Sequence, residues 1–298
     1  MAQNQEKTHT SGYAGIIGQP NAGKSTLFNY LLGQKLSIIT HKAQTTRHRI
    51  QGIYSDEESQ IIFLDTPGII QPRYLLQEKM MDQVARLRTD ADLLIHIVDG
   101  ERPPGKDDVV WETLDELNLP VMLVVNKVDL ISQERLLEVQ QQCTEMRDYI
   151  EVIPVSALHG VGVDELVRRL KQRLPEGPEF YSKEEVSDLP LRFFVSELIR
   201  EQLFILYQQE IPYSCAVNVI EYKEGDEMDR IHAEIVVNRE SQKGILIGKK
   251  GKMLKELGIR SRKSVEELVG KKVHLELFVK VREKWREKEN FLKSYGYR

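Results

Sequence analysis

The sequence predicts an α/β domain, a mostly parallel sheet with helices on both faces, followed by a smaller α+β domain. Three observations lead there. Short apolar runs alternate with amphipathic stretches as far as residue 174, the pattern of parallel strands covered on both sides. A glycine-bounded loop, Gly18-Gln19-Pro20-Asn21-Ala22-Gly23-Lys24-Ser25, separates the first run from a helical stretch. Beyond a segment punctuated by Pro175, Pro178 and Pro190, the pattern restarts with a different order of elements and a basic excess.

The first apolar run, Tyr13 to Ile17, reads as a strand, and Thr26-Leu27-Phe28-Asn29-Tyr30-Leu31-Leu32 has helical spacing. Strand, glycine loop and helix together form the context of a phosphate-binding loop. The glycines let successive N–H groups turn inward toward phosphate oxygens, and the helix beginning near Gly23 adds its positive end. Lys24 can reach the outer phosphates, and the Ser25 hydroxyl can hold Mg²⁺. A nucleoside triphosphate is therefore expected, bound along residues 18–25 and Thr26.

Leu36 to Ile53 contains the polar, basic Gln44-Thr45-Thr46-Arg47 and reads as a mobile surface loop. It is expected to supply a second hydroxyl for Mg²⁺; Thr45 and Thr46 are the candidates, with Thr46 favoured. Four further runs read as strands: Ser59–Leu64, Leu93–Val98, Val121–Val125 and Val152–Val155. Helices are expected over Asp107–Leu117, Gln133–Met146 and Val163–Leu174. The polar motifs sit where strands stop, and ligands of open α/β sheets bind there. Asp65-Thr66-Pro67-Gly68 ends one strand: Asp65 would meet Mg²⁺ through a water, and the Gly68 N–H would donate to the γ-phosphate. Loss of that phosphate would free the segment, with Ile69 beside it, as a switch.

Asn126-Lys127-Val128-Asp129 selects the base. A buried Asp129 carboxylate can accept two hydrogen bonds from guanine, whereas adenine would leave it unpaired. Asn126 would tie this loop to the phosphate loop, the Lys127 stem would lie along the ring, and the Ala157 N–H after Ser156 would donate to the guanine oxygen. The expected ligands are GTP and GDP with Mg²⁺.

Composition sets outer bounds. The 298 residues, 41% hydrophobic and 30% charged, suit about two globular domains. Cys143 and Cys215 offer neither a disulfide framework nor metal spacing, and the seven histidines lack ligand spacing. Met1 to Ser11 is polar, so no secretory signal is expected, and no apolar run approaches a membrane span. The net charge of −4 is unevenly spread: from Lys243 onward 17 Lys and Arg face 7 Asp and Glu. A basic end on an acidic chain suggests a polyanionic partner.

In the second half the expected order is a helix (about Leu191 to Gln209), strands at Ser214–Tyr222 and Ile231–Asn238, two helices flanking Gly258, a strand at Val273–Val281, and a last helix ending near Tyr295. That order matches a type II KH RNA-binding domain. Gly248-Lys249-Lys250-Gly251, followed by Lys252, is what such a domain would use: glycines admit the backbone of a single RNA strand, and lysines meet phosphates. Ile245, Ile247, Leu254 and Leu257 are expected in the core, as is Trp285. The domains read as a flexible 1–11, a nucleotide domain over 12–174, a linker over 175–190, and a KH domain with its C-terminal helix over 191–298.

Taken together, Gly18-x-x-Asn21-x-Gly23-Lys24-Ser25, Gln44-Thr45-Thr46-Arg47-His48-Arg49, Asp65-Thr66-Pro67-Gly68, Asn126-Lys127-Val128-Asp129 and Gly248-Lys249-Lys250-Gly251 resemble the Era family of bacterial GTPases, over nearly the whole chain. The resemblance implies slow hydrolysis of GTP and binding of the 3′ end of 16S ribosomal RNA during small-subunit assembly. Ras-like proteins carry a water-orienting glutamine where this chain has Ile69, and a glycine where it has Pro20. Catalysis would rest on Lys24, the Gly68 N–H and Asn21, which in related GTPases helps to hold a K⁺ ion. A cytoplasmic monomer is expected. Two other readings stand beside this one: an RNA clamp with GTP as a structural ligand, and a peripheral GTPase using its basic end on an anionic inner-membrane surface.

Overall fold

The computed structural model describes residues 9–40, 42 and 44–297. Most of the expected flexible segment 1–11 lies outside them, but Thr10 and Ser11 already belong to the first strand. The chain forms two compact units. The first comprises the chain up to Ser37, Thr46–Gln71 and Met80–Asp188; the second comprises Ile38–Thr45, Pro72–Lys79 and the chain from Leu189.

Up to residue 188 the elements are β1 (Thr10–Ile17), α1 (Lys24–Leu32), β2 (Ile50–Ser55), β3 (Ser59–Asp65), α2 (Leu75–Ala85), α3 (Leu87–Asp90), β4 (Leu93–Asp99), α4 (Val109–Leu117), β5 (Val121–Asn126), α5 (Gln133–Met146), β6 (Glu151–Pro154) and α6 (Val163–Arg173). The sheet order is β2-β3-β1-β4-β5-β6, parallel throughout except for β2. Every residue of β3, β4 and β5 is buried, as helices on both faces require. The chain leaves β1 toward β3 on one side and later returns to β4 on the other, so the topological reversal falls at β1. The loop that follows β1, residues 18–23, is therefore where a ligand is expected.

Two differences from the sequence reading concern this unit. Residues 50–53, expected in a mobile loop, belong to β2, which forms a hairpin with β3. The turn explains it: the Asp56 carboxylate accepts the N–H groups of Glu58 and Ser59 (both 2.9 Å) and closes the reversal. Residues 175–188, expected as a linker, are fastened to the first unit. Gln60 accepts from the Phe180 and Tyr181 N–H groups and donates to the Tyr181 carbonyl, and the Ile53 N–H donates to Val186 O. Polar side chains reaching across to backbone left no apolar period to read.

The second unit is built from α7 (Leu191–Leu206), α8 (Ile211–Ser214), β7 (Ala216–Lys223), β8 (Met228–Val237), α9 (Glu240–Ile247), α10 (Lys252–Val269), β9 (Lys272–Val281) and α11 (Glu289–Ser294). Its sheet runs β7-β8-β9, the first pair antiparallel and the second parallel. Val195, Ile199 and Leu203 of α7 and Leu257 and Val265 of α10 pack on Ile231, Ala233 and Ile235 of the sheet. The helices do not flank Gly258. They flank Gly248–Gly251, and α10 runs unbroken through Gly258, where an added Cβ would lie 3.8 Å from Leu277. A glycine inside a helix costs about 1 kcal/mol, too little to break eighteen residues of packed helix. Leu257 is fully buried as expected, and Leu254 packs against the core. Ile245 departs from expectation: it is exposed, and the apolar residue that α9 buries is Leu246. Trp285 is fully buried, its Nε1 donating to Ser214 O at 2.9 Å, in a single turn instead of a long last helix.

Within this unit the segment 38–45 is held by its main chain and by the Lys42 side chain. The Glu201 carboxylate accepts from the Ile39 N–H (3.3 Å), the Arg200 guanidinium donates to Thr45 O, and the Lys42 ammonium donates to the Phe204 and Tyr207 carbonyls at the end of α7. Arg200 is itself buried and paired with Glu197. Tyr74, in the segment 72–79, lies under the Arg286 guanidinium at 4.8 Å.

Candidate nucleotide-binding site

The loop after β1 bends through Gly18, Asn21 (φ 65°) and Gly23 (φ 102°) before α1 begins at Lys24. Only glycine fits at 23, for a second reason besides φ: a Cβ there would lie 2.0 Å from Asn126 Nδ2. Lys24 is almost fully buried, and its Nζ donates to Gly18 O (3.1 Å) and Gln19 O (2.8 Å). Burial lowers its pKa to about 8, against the pull of the Asp65 charge. Gln19 donates to the Asp108 carboxylate (2.5 Å), whose other oxygen caps α4 at the Val110 N–H.

Asp65 ends β3 at zero exposure. Its Oδ2 accepts from Ser25 Oγ at 2.9 Å and from Ser37 Oγ at 2.7 Å, and Ser25 Oγ lies 2.9 Å from Thr46 Oγ1. Burial pushes the Asp65 pKa up, while the serines and Lys24 oppose that shift. Its Oδ1 is buried with no hydrogen-bond partner among the described residues. One orphaned carboxylate oxygen beside two hydroxyls is a donor set for a hard cation. The residues thus fit Mg²⁺, with Ser25, Thr46 and Asp65 positioned to hold it. Thr45 differs: its carbonyl is engaged by Arg200. No group of three His, Cys, Asp or Glu that could hold a metal occurs among the described residues; Mg²⁺ ordinarily needs only one or two carboxylates, with waters and substrate phosphates as its other ligands.

Thr66 is anchored through Oγ1 to Ile16 O (2.7 Å), and the Ile69 N–H donates to Gly18 O (3.1 Å). Gly68 lies so close to the loop that a Cβ would meet Pro20 backbone at 2.9 Å. Ile69 is turned away from this region, buried with Val84 and Leu87. The side chain that replaces the Ras-like glutamine is a core residue.

At the next strand ends, Asn126 joins three loops. Its Nδ2 donates to Ala22 O (2.8 Å) and its Oδ1 accepts from the Ala157 N–H (2.9 Å). The Ala157 N–H, expected to face guanine, is therefore already bonded to Asn126. Lys127 takes a left-handed φ of 62° and its Nζ pairs with Asp99 at 2.6 Å, placing its stem across the end of β4. Val128 and Asp129 open the following turn. The Asp129 side chain, expected to be buried, is 26% exposed and faces His159 Nε2 at 3.7 Å. Ser156 is fully buried and bridges to Val161.

Sequence reasoning missed Ser37, Asn29, Asp99, Asp108 and His159. Asn29 alone carried a signal. It is a polar residue among Leu27, Phe28 and Leu31 on the face that α1 buries, and a buried amide needs partners.

In the second unit, Gly248 (φ 69°), Lys250 (φ 52°) and Gly251 (φ 76°) shape the turn between α9 and α10. Lys249, Lys250 and Lys252 are exposed on it. A tight turn of this kind lets a backbone pass close while ammonium groups meet its phosphates.

These features define a phosphate-loop nucleotide hydrolase joined to a KH domain. A family model described as "50S ribosome-binding GTPase" matches residues 13–127, and one described as "KH domain" matches residues 210–286. GTPase Era of Staphylococcus haemolyticus (strain JCSC1435) is 45% identical over 291 residues, 97% of each chain. A crystal structure of a point variant of Aquifex aeolicus Era bound to GDP·AlF4⁻ superposes with a TM-score of 0.91 at 40% identity, covering 97% of this chain and 99% of that one. Era in complex with MgGDPNP and nucleotides 1506–1542 of 16S ribosomal RNA gives 0.92 at the same identity and coverage. The chain belongs to the Era family of GTPases.

Proposed function

We propose that this GTPase binds the 3′ end of 16S ribosomal RNA through Gly248–Lys252 and lets go or holds on according to its nucleotide, assisting small-subunit assembly. The observation that carries the coupling is the composition of the second unit. It contains residues 38–45 and 72–79, which lead directly into Thr46 and directly out of the segment after Gly68. A γ-phosphate drawing Thr46 and Gly68 toward itself would pull on a segment that Glu201, Arg200 and the carbonyls of Phe204 and Tyr207 hold.

In the reaction, water attacks the γ-phosphate in line and GDP leaves. Mg²⁺, when bound, neutralises charge on the β- and γ-phosphates. Lys24 supplies a fixed positive charge against the same oxygens, and the Gly68 N–H donates to the γ-phosphate. Ile69 is packed into the core and orients no water, so slow intrinsic turnover follows. The finer parts of the proposal are a K⁺ ion beside Asn21 and a cytoplasmic monomer, with contact to an anionic membrane surface as the competing use of the basic end. Single-turnover hydrolysis faster in KCl than in NaCl supports the ion.

The test of the whole is anisotropy of a labelled oligonucleotide of the 16S 3′ end, titrated with protein in GDPNP and in GDP. Affinity that differs by nucleotide supports the switch. Equal affinities replace it with an RNA clamp, and displacement of the oligonucleotide by anionic vesicles favours the membrane reading.

A further inference from the structure

The phosphate loop and β3 account for Ser25 and Asp65, but not for why residues 36–37 approach them. Asn29, on the buried face of α1, holds that bend completely. Its Oδ1 accepts from the Leu36 N–H (3.0 Å) and the Ser37 N–H (2.8 Å), and its Nδ2 donates to Ser37 O (2.8 Å). Asn29 and Ser37 are both buried, at 8% and 2% exposure. Two of these three hydrogen bonds fix the serine itself, and the serine hydroxyl then donates to Asp65 Oδ2.

We infer that Asn29 and Ser37 are positioning residues for the Mg²⁺ site: they pin Asp65 through Oδ2 so that Oδ1 is presented to the metal's water shell. Three features of the geometry support this. Oδ2 already carries two hydroxyl donors, so Oδ1 is the oxygen left to serve the cation. Oδ1 has no partner among the described residues, although it is buried. The chain from Ser37 continues toward Thr46, so the same bend fixes where the second hydroxyl's segment departs. Groups that orient a metal ligand from behind commonly account for ten- to a hundredfold in metal affinity.

This inference rests on the reading of the site as one for guanine nucleotide with Mg²⁺, and the experiment separates the two. A fluorescent GDP is loaded on the full chain, and its dissociation rate is followed across a MgCl₂ titration and in EDTA, for wild type and Ser37→Ala. In Ser37→Ala the Mg²⁺ concentration that half-maximally slows release is expected to rise about tenfold, with the rate in EDTA unchanged. Asn29→Ala should reproduce the shift with Ser37 present, because the hydroxyl is then no longer aimed. A wild-type release rate indifferent to Mg²⁺ overturns the site reading itself. A Ser37→Ala titration that overlays wild type overturns the positioning role. Equally faster release in EDTA also overturns it, because that is loss of packing.

Discussion

Asn126→Ala is the substitution whose consequence the structure specifies most closely. The side chain is 3% exposed and makes two buried hydrogen bonds, Nδ2 to Ala22 O at 2.8 Å and Oδ1 from the Ala157 N–H at 2.9 Å. Alanine removes both and leaves a carbonyl and an N–H unsatisfied where no side chain replaces it. Each such orphan costs about 1–3 kcal/mol, so the pair costs at least about 2 kcal/mol. If the loops separate to rehydrate these groups, that energy is withdrawn from nucleotide binding, because the phosphate loop and the base-reading loop must be registered to hold one ligand. At about 1.4 kcal/mol per decade, GDP affinity falls at least about thirtyfold. Asn126→Asp sharpens the test. It keeps the acceptor for Ala157 but turns a carboxylate oxygen toward Ala22 O, so it should bind GDP more weakly than the alanine variant at neutral pH. Fluorescent-GDP titration alongside thermal denaturation reads both channels. GDP affinity within threefold of wild type and an unchanged Tm for Asn126→Ala would refute the reasoning.

Two other outcomes follow from separate parts of the molecule. His96 is fully buried in β4, its Nδ1 2.9 Å from the Tyr149 hydroxyl, and burial pushes its pKa down to about 3, with Arg147 and Lys24 adding to the shift. Above pH 6.5 it is neutral whether folded or unfolded and has no effect on the balance; below that the unfolded chain takes up a proton that the folded chain refuses. Stability should therefore fall by about 1.4 kcal/mol per pH unit from about pH 6.5 toward 3. Urea denaturation of wild type against His96→Gln between pH 7 and 5 isolates this slope from Asp65, whose raised pKa acts in the opposite direction; parallel pH profiles for the two proteins would contradict it. Replacing Lys249, Lys250 and Lys252 together by alanine should weaken the rRNA oligonucleotide and reduce the log–log salt slope by about 2, at about 0.7 per phosphate contact on a single strand. An unchanged slope in anisotropy titrations would place the RNA elsewhere.

The parts legible in the sequence are those written as a short contiguous motif at the end of a strand. Gly18–Ser25, Asp65–Gly68, Asn126–Asp129 and Ser156-Ala157 each follow a strand, and four of them in order imply a pocket before any coordinate is known. Ser37 was illegible because it belongs to no motif, so nothing in its surroundings ties the hydroxyl to Asp65. The strand β2 was hidden by the basic Gln44–Arg47 ahead of it, although the Asx turn at Asp56 marked its end. Gly258 misled because a glycine reads as a break, whereas tertiary packing on β9 holds the helix through it. The exposure of Asp129 could not be read either, since the motif implies a role for the side chain and nothing about what surrounds it.

All of this depends on the proposal that the Asp129 carboxylate recognises guanine, and Asp129→Asn examines it most directly. An amide in that place can donate to the 2-oxo group of xanthine but can no longer accept both guanine N–H groups. Competition of fluorescent GDP by unlabelled GDP and XDP should show affinity for GDP lost by at least a hundredfold in Asp129→Asn, with XDP gaining where wild type rejects it. Retention of GDP at wild-type affinity, with XDP still excluded, would contradict the assignment of the pocket.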